Sequence, residues 1–161
     1  MIDVPAIRLA SKSDAATIAL MSRQYIEQGL GWSWNVCRIE AAIRSDATNV
    51  AVVHERGEVV GFGIMQYGEQ TAHLALLAVH PNYRRQGLAA RLMAWLEKCA
   101  DTAGIERIVC EARSDNPTAI AFYQKLGYVQ LARVAGYYRG VLDALRMEKN
   151  LWAIGAADRR Y

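Results

Sequence analysis

The stretch Leu76-Leu77-Ala78-Val79-His80-Pro81-Asn82-Tyr83-Arg84-Arg85-Gln86-Gly87-Leu88-Ala89 decides how this chain is read. An apolar run ends at His80-Pro81-Asn82, a turn carries two adjacent arginines and a glycine, and a helical pattern opens at Leu88. The first N–H groups of an α-helix have no partner inside the helix and carry the positive end of its dipole. Gly87 has no side chain to keep a ligand off the backbone, and Arg84 and Arg85 add positive charge. Strand, basic glycine turn and helix together predict a pyrophosphate cradle. The same residues also suit a plain strand-to-helix turn with two solvated arginines, because short glycine motifs match by chance.

Working outward, residues 71–79 are nearly all apolar and predict a central strand buried on both faces. Residues 49–54 and 59–67 read as two further strands joined by Glu55-Arg56-Gly57-Glu58. Ahead of them lie a short strand at 7–10 and a helix over 13–28, in which Ala16, Leu20, Met21 and Tyr25 recur at helical spacing and Ser13 or Asp14 caps. Gly29-Leu30-Gly31-Trp32-Ser33-Trp34 interrupts it, and a second helix covers 36–44. Downstream, 88–103 is a helix with Leu88, Leu92, Trp95, Leu96 and Cys99 on one face and Gly104 after its end. A strand at 107–111 comes next. The helix over 116–126 has Asn116 to cap it, Pro117 in its first turn and Gly127 at its end. Residues 128–134 and 144–149 close the chain as a hairpin. This order gives an α/β (α+β) protein: a mixed, mostly antiparallel six- to seven-stranded sheet flanked by about four helices. One domain spans 1–151, with a tail at 152–161.

The chain of 161 residues is long enough for one domain with its own core, and 53% apolar with 22% charged residues is ordinary for a globular protein. A net charge of +3 is too mild to argue for nucleic acid. Cys37, Cys99 and Cys110 are widely spaced, so reduced thiols are expected and not a disulfide framework. The N-terminus lacks the layout of a secretory leader, and no apolar run reaches membrane-spanning length, so a cytoplasmic protein without membrane contact is expected. His54, His73 and His80 show no metal-ligand spacing and read as incidental, and no metal is expected. Gly61-Phe62-Gly63 lies inside a strand with no helix after it, which removes a dinucleotide-loop reading.

Arg84-Arg85-Gln86-Gly87-Leu88-Ala89 resembles the [RQ]-x-x-G-x-[GA] signature of the GCN5-related N-acetyltransferases, the GNAT superfamily. Glu111-Ala112-Arg113-Ser114-Asp115-Asn116, then Ala119-Ile120-Ala121-Phe122-Tyr123 and Leu126-Gly127-Tyr128, are similar to the segment E-x-R-x-x-N…A-x-x-x-Y-x-x-x-G-[FY] of that family. Tyr137-Tyr138 followed by Asp143-Ala144-Leu145-Arg146-Met147 resembles most the ribosomal-protein-alanine N-acetyltransferases. Two features depart from their pattern: Arg139-Gly140 comes after the tyrosine pair in a short loop, and the tail after Leu151 has no counterpart.

The resemblance implies the acyl-CoA N-acyltransferase fold, acetyl-CoA as cofactor and direct transfer to an amine acceptor. It implies that the cofactor is held by Arg84, Arg85, Gln86, Gly87, Leu88, Ala89 and Ala90, by the backbone of Leu77, Ala78 and Val79, and by Asn116 and Tyr123. A splay between the strands at 71–79 and 107–111 would admit the pantetheine arm, whose amides pair with a strand edge. Glu111 is the candidate general base; alternation puts it on the face of Val109 at the strand's end. Tyr123 is the candidate general acid, seven residues after Asn116 and so on the same helix face. A polar strand-end residue and a core tyrosine are the plainer uses of these two. Trp32, Trp34, Tyr137 and Tyr138 are candidate acceptor contacts, with packing the commoner fate of a tryptophan. The acceptor stays open between a protein or peptide N-terminus and a small-molecule amine such as a polyamine, amino acid or antibiotic. A non-catalytic acyl-CoA-binding module is the third reading, and the oligomeric state is monomer or homodimer.

Overall fold

The computed structural model describes residues 4–152, so most of the tail at 152–161 lies outside the described residues. The elements are β1 (Ile7–Leu9), α1 (Ala15–Met21), α2 (Val36–Arg44), β2 (Thr48–Glu55), β3 (Glu58–Tyr67), β4 (Thr71–Val79), α3 (Leu88–Thr102), β5 (Arg107–Arg113), α4 (Pro117–Lys125), β6 (Val129–Tyr138) and β7 (Leu142–Asn150). The order is the expected one. Hydrogen-bonded strands run β1-β2-β3-β4-β5-β7-β6. The pairs β1–β2, β2–β3, β5–β7 and β6–β7 are antiparallel, and β4–β5 is parallel. The parallel pairing runs from Thr71↔Arg107 to Leu74↔Cys110, and both strands continue beyond it.

The chain divides into two compact units, one holding the described residues through Gln66 with Ala75–Lys98, the other Tyr67–Leu74 with residues from Cys99 onward. In the first, α1 and α2 bury Ile18, Ala19 and Ile39 against Val50, Phe62 and Ile64 of the β2–β3 ladder. Two points of the first helical segment differ from the sequence reading. Ser11, one turn earlier than expected, opens the first helical segment, its backbone N–H donating to the buried Asp14 carboxylate (2.8 Å) that Arg8 also grips (2.9 Å). The helix expected to run to residue 28 gives way after Met21 to a π-helical turn, Ser22–Ile26, closed by the Glu27 N–H on the Ser22 carbonyl (2.8 Å). That wider turn re-aims the side chains beyond it.

β4 is not buried on both faces. Ala72, Leu74, Leu76 and Ala78 are buried, while His73, Ala75 and Leu77 are half-buried. Alternation, and not a continuous core run, therefore describes it, and one face stays accessible to polar partners.

Gly61 and Gly63 of β3 serve packing. A Cβ on Gly61 would lie 2.8 Å from Val53 Cγ1 and 3.3 Å from both the Ala78 carbonyl and Leu92 Cδ1, and one on Gly63 would lie 2.8 Å from Leu96 Cδ1. The bare backbone thus receives the leucines of α3. Overpacking a tight core site costs about 1–3 kcal/mol, so Gly61→Val is expected to lower the stability to chemical denaturation by that amount. An unchanged denaturation midpoint would show that α3 can retreat freely.

In the second unit, Ile108, Cys110 and Ala112 of β5 point to the core and Arg107, Val109, Glu111 and Arg113 to the other face. Tyr123, Tyr128 and Met147 complete that core. Burial pushes the Cys110 thiol up to about 12, with the Glu111 charge adding to it, so this cysteine is an inert core residue.

Candidate active site

The basic glycine turn belongs to the first unit. A 3-10 turn, Pro81–Tyr83, leads from β4 into Arg84-Arg85-Gln86-Gly87, all four exposed, and α3 starts at Leu88. Arg91 N–H is the first to close onto a helical carbonyl, that of Gly87 (3.0 Å). The N–H groups of Leu88, Ala89 and Ala90 precede that bond and belong to the open end of the helix. Gly87 has φ +77°, and a Cβ built on it meets nothing within 4 Å. Arg85 also adopts a left-handed φ of 61°. An anionic diphosphate fits these residues: free backbone approach at Gly87, an open helix N-terminus and adjacent guanidinium groups. Arg84 spends part of its donor set on the protein itself, since its Nε donates to the Val79 carbonyl (3.1 Å) and its guanidinium sits 5.7 Å from the centre of the Tyr25 ring. Tyr25 and Tyr83 both meet His80 edge-on. The Leu77 side chain is half-buried, while Ala78 and Val79 are buried, so these three offer chiefly backbone.

The same unit holds the tryptophan loop. Trp34 is a core residue and Trp32 is exposed, with its indole N–H shared between the carbonyls of Ala19 (3.2 Å) and Trp34 (3.0 Å). The organising group is one the sequence did not flag. Glu27 is buried and its carboxylate accepts from Ser22 Oγ, Ser33 N–H, Ser33 Oγ and Trp34 N–H. Only its place just after the helical periodicity ends, beside a glycine-rich loop, hinted at this.

A second cluster lies wholly in the other unit, around Glu111. The carboxylate is 7% exposed. It meets His73 Nε2 at 2.5 Å through Oε2 and accepts from Arg146 Nε at 3.1 Å through Oε1. Strand register explains both contacts: Arg146 of β7 lies directly opposite Glu111, and His73 of β4 pairs with Val109, two residues back on the same face. Burial pushes the Glu111 pKa up, but the hydrogen bonds and charges of His73 and Arg146 outweigh it and hold the carboxyl below the usual range. His73, read as incidental from spacing alone, is therefore a direct partner of the candidate base. Its signal was the parallel β4–β5 register, which a sequence does not display.

Tyrosines surround this carboxylate. Tyr138 Oη donates to the Glu111 carbonyl at 3.4 Å. The Tyr137 phenol is raised above its ordinary value by burial and then by the Glu111 charge. Tyr123 is the one buried residue of α4, its ring edge-on to Phe122 (5.3 Å) and Tyr128 (5.6 Å). Burial, then the nearby Cys110, Tyr138 and Glu111, keeps its phenol protonated far above neutral pH. Asn116 caps α4, Oδ1 accepting from Ala119 N–H at 3.1 Å, which leaves its amide nitrogen free for other use.

The sequence profile of the acetyltransferase (GNAT) family matches residues 16–128. The chain belongs to that family. It is 41% identical over 96 residues to the N-terminal acetyltransferase B complex catalytic subunit NAA20 of Arabidopsis thaliana, a span covering 59% of this chain and 53% of that protein. The chain spans about half the length of the curated relatives it matches first. Among solved structures, Ard1 from Thermoplasma volcanium superposes with a TM-score of 0.81 at 26% identity, over 91% of this chain and 97% of that one. The ribosomal-protein-S18-alanine N-acetyltransferase from Escherichia coli superposes with a TM-score of 0.79 at 24% identity, over 92% and 94%, which is a likeness of fold. No helix among the described residues is long and apolar enough to cross a membrane.

Proposed function

We propose that this chain moves an acetyl group from acetyl-CoA to the N-terminal α-amine of a protein or peptide by direct transfer. Family membership and the similarity to an N-terminal acetyltransferase subunit support the reading. The observation that carries it is the turn Arg84–Gly87, exposed and cationic, with an open left-handed glycine at the start of α3. Acetyl-CoA supplies the activated acyl group as a thioester. The chain's own groups do the rest: Arg84 to Ala90 bind the diphosphate, Leu77 to Val79 offer backbone to the pantetheine amides, and Asn116 adds a polar contact. Glu111 takes a proton from the acceptor ammonium, freeing the amine to attack, and Tyr123 supports the departing sulfur as general acid, chiefly by a hydrogen bond donated as charge builds there. Trp32, Tyr137 and Tyr138 are the acceptor contacts in this reading, whereas Trp34, a candidate by sequence, is buried in the core of the first unit and supports the loop instead. Cys37, Cys99 and Cys110 are not joined in disulfides, which suits a cytoplasmic setting.

The test is an acceptor screen that monitors release of free CoA with peptides of free N-terminus, ε-amines, polyamines and aminoglycosides. Turnover on peptides carrying a free α-amine is expected, and turnover confined to the small amines would overturn the acceptor assignment. The cradle is tested separately by calorimetric titration of Gly87→Val with CoA. A Cβ there meets no protein atom, and a left-handed φ costs an L-residue roughly 1–2 kcal/mol, so the fold should survive. CoA affinity is expected to fall by about tenfold or more, which is 1.4 kcal/mol or more of binding. Unchanged affinity would remove the diphosphate from this turn.

A further inference from the structure

We propose that Asp143 is a positioning residue: its carboxylate locks an irregular loop of β6 that aims Tyr137 and Tyr138 at Glu111 and so shapes the acceptor side of the site. The inference rests on the function proposed above for its meaning in catalysis, but its geometry is independent of it.

Pairing between β6 and β7 shifts between Val134↔Ala144 and Tyr138↔Leu142. Four steps along β6 thus correspond to two along β7, and the surplus residues form a bulge. Bulges bend a strand and redirect its side chains, often beside a functional site. Asp143 lies on β7 opposite this surplus and closes it with both oxygens. Oδ1 accepts from the Gly136 N–H (3.0 Å) and Oδ2 from Arg133 Nε (2.9 Å). Its main-chain carbonyl accepts from Ser114 N–H (3.0 Å), which fastens the loop after β5 to the same point. The Gly136 carbonyl in turn accepts from Gly140 N–H (2.8 Å). Gly136 has φ +62°, and a Cβ there would lie 3.1 Å from Gly140 Cα, so this crossing needs a glycine.

The bulge delivers the tyrosine pair. The two rings meet edge-on at 4.9 Å, Tyr138 Oη reaches the Glu111 carbonyl and the Tyr137 phenol lies within the field of the Glu111 charge. Asp143 itself stays ionised, its pKa lowered first by the Gly136 N–H and then by Arg133. Its bonds go to Gly136 and Arg133 and not to Glu111 or the tyrosine hydroxyls, so it acts through the backbone that carries them. An unpaired donor at Gly136 and a released Arg133 are what its removal would leave.

The test uses Asp143→Ala and Asp143→Thr in the full chain, the threonine being a good strand former with one oxygen that cannot serve both donors. The first readout needs no activity. Tyrosinate absorbance is titrated with pH in each background with and without Tyr137→Phe, so that the difference isolates Tyr137. In the wild type Tyr137 is expected to ionise above the ordinary value of about 10, because burial raises it first and the Glu111 charge adds to that, with Arg146 opposing. In the Asp143 variants it is expected to return to about that value. The second readout is kinetic: acceptor KM should rise about tenfold with a smaller change in kcat, Tyr137→Phe should cost nothing further in the variant background, and Asp143→Asn, which keeps an oxygen for Gly136, should recover most of the loss. A Tyr137 titration unmoved by both substitutions would overturn the proposal, as would strictly additive losses. A wild-type chain that acetylates no amine would instead overturn the proposed function, leaving the clamp to be decided by the titration.

Discussion

Tyr123→Phe is expected to lower kcat by about 10²–10⁴, the usual loss when a general acid is removed, while the dissociation constant for acetyl-CoA changes little. The ring is held edge-on between Phe122 and Tyr128 and stays in the variant. The hydroxyl has no hydrogen-bond partner among the described residues, so its removal strands no protein donor or acceptor. The phenol is held protonated by burial and by Cys110, Tyr138 and Glu111. It is accordingly a weaker acid than a free thiol, whose pKa is about 8.5, and acts mainly as a hydrogen-bond donor to sulfur in the transition state. The measurement is single-turnover transfer set beside calorimetric binding. A wild-type rate in the variant, with binding intact, would assign the protonation of sulfur to water.

The parts of this molecule legible in its sequence are those fixed by local chemistry. The cap at Asn116, the stop at Gly127 and the apolar face opening at Leu88 all announce their elements, because capping, left-handed glycine and helical periodicity act over a few residues. The turn at Arg84–Gly87 was legible for the same reason. The partners of Glu111 were not. His73 is 38 positions away and Arg146 is 35 away, and only the β4–β5 and β5–β7 registers bring them to one carboxylate. Register is set by the whole sheet and its turns, so a lone histidine in an apolar strand carries no mark of its use. Glu27 was hidden differently. Helical spacing continues through Tyr25, but the π-helical turn at Ser22–Ile26 rotates the residues after it, and the carboxylate is buried under the loop it ties together. Asp143 was visible as part of a family-like motif, yet its hold on Gly136 depends on a two-residue slip in the β6–β7 ladder that alternation does not reveal.

Glu111→Gln is expected to depress transfer most at the acidic end of the working range and least at the alkaline end. In the folded protein the Glu111 pKa is lowered, burial being outweighed by His73 and Arg146. The carboxylate is therefore ionised throughout the working range near and above neutral pH, and its own titration contributes no limb there. The sign for stability agrees: a depressed carboxyl stabilises the fold above its unfolded value of about 4.3 and loses that contribution only as pH falls through the folded value, so Glu111 itself adds no unfolding limb near or above neutral pH. The acceptor's own titration is left to shape the profile. An α-ammonium has a reference pKa of about 7.7–8.0 and a lysine ε-ammonium about 10.4. For an α-amine, kcat/KM should rise with pH and level off near the lower value. Below it a proton must be removed, and a base so weak can only pass the proton on. Loss of the carboxylate should then cost about 10²–10⁴ on the acidic side and much less above the plateau, where the amine arrives neutral. A lysine-like acceptor should keep gaining rate well above that plateau. The experiment is a pH–rate profile of both proteins with the best peptide from the screen. Profiles that run parallel, offset equally at every pH, would take the base role from Glu111 and leave it as the anchor of His73 and Arg146.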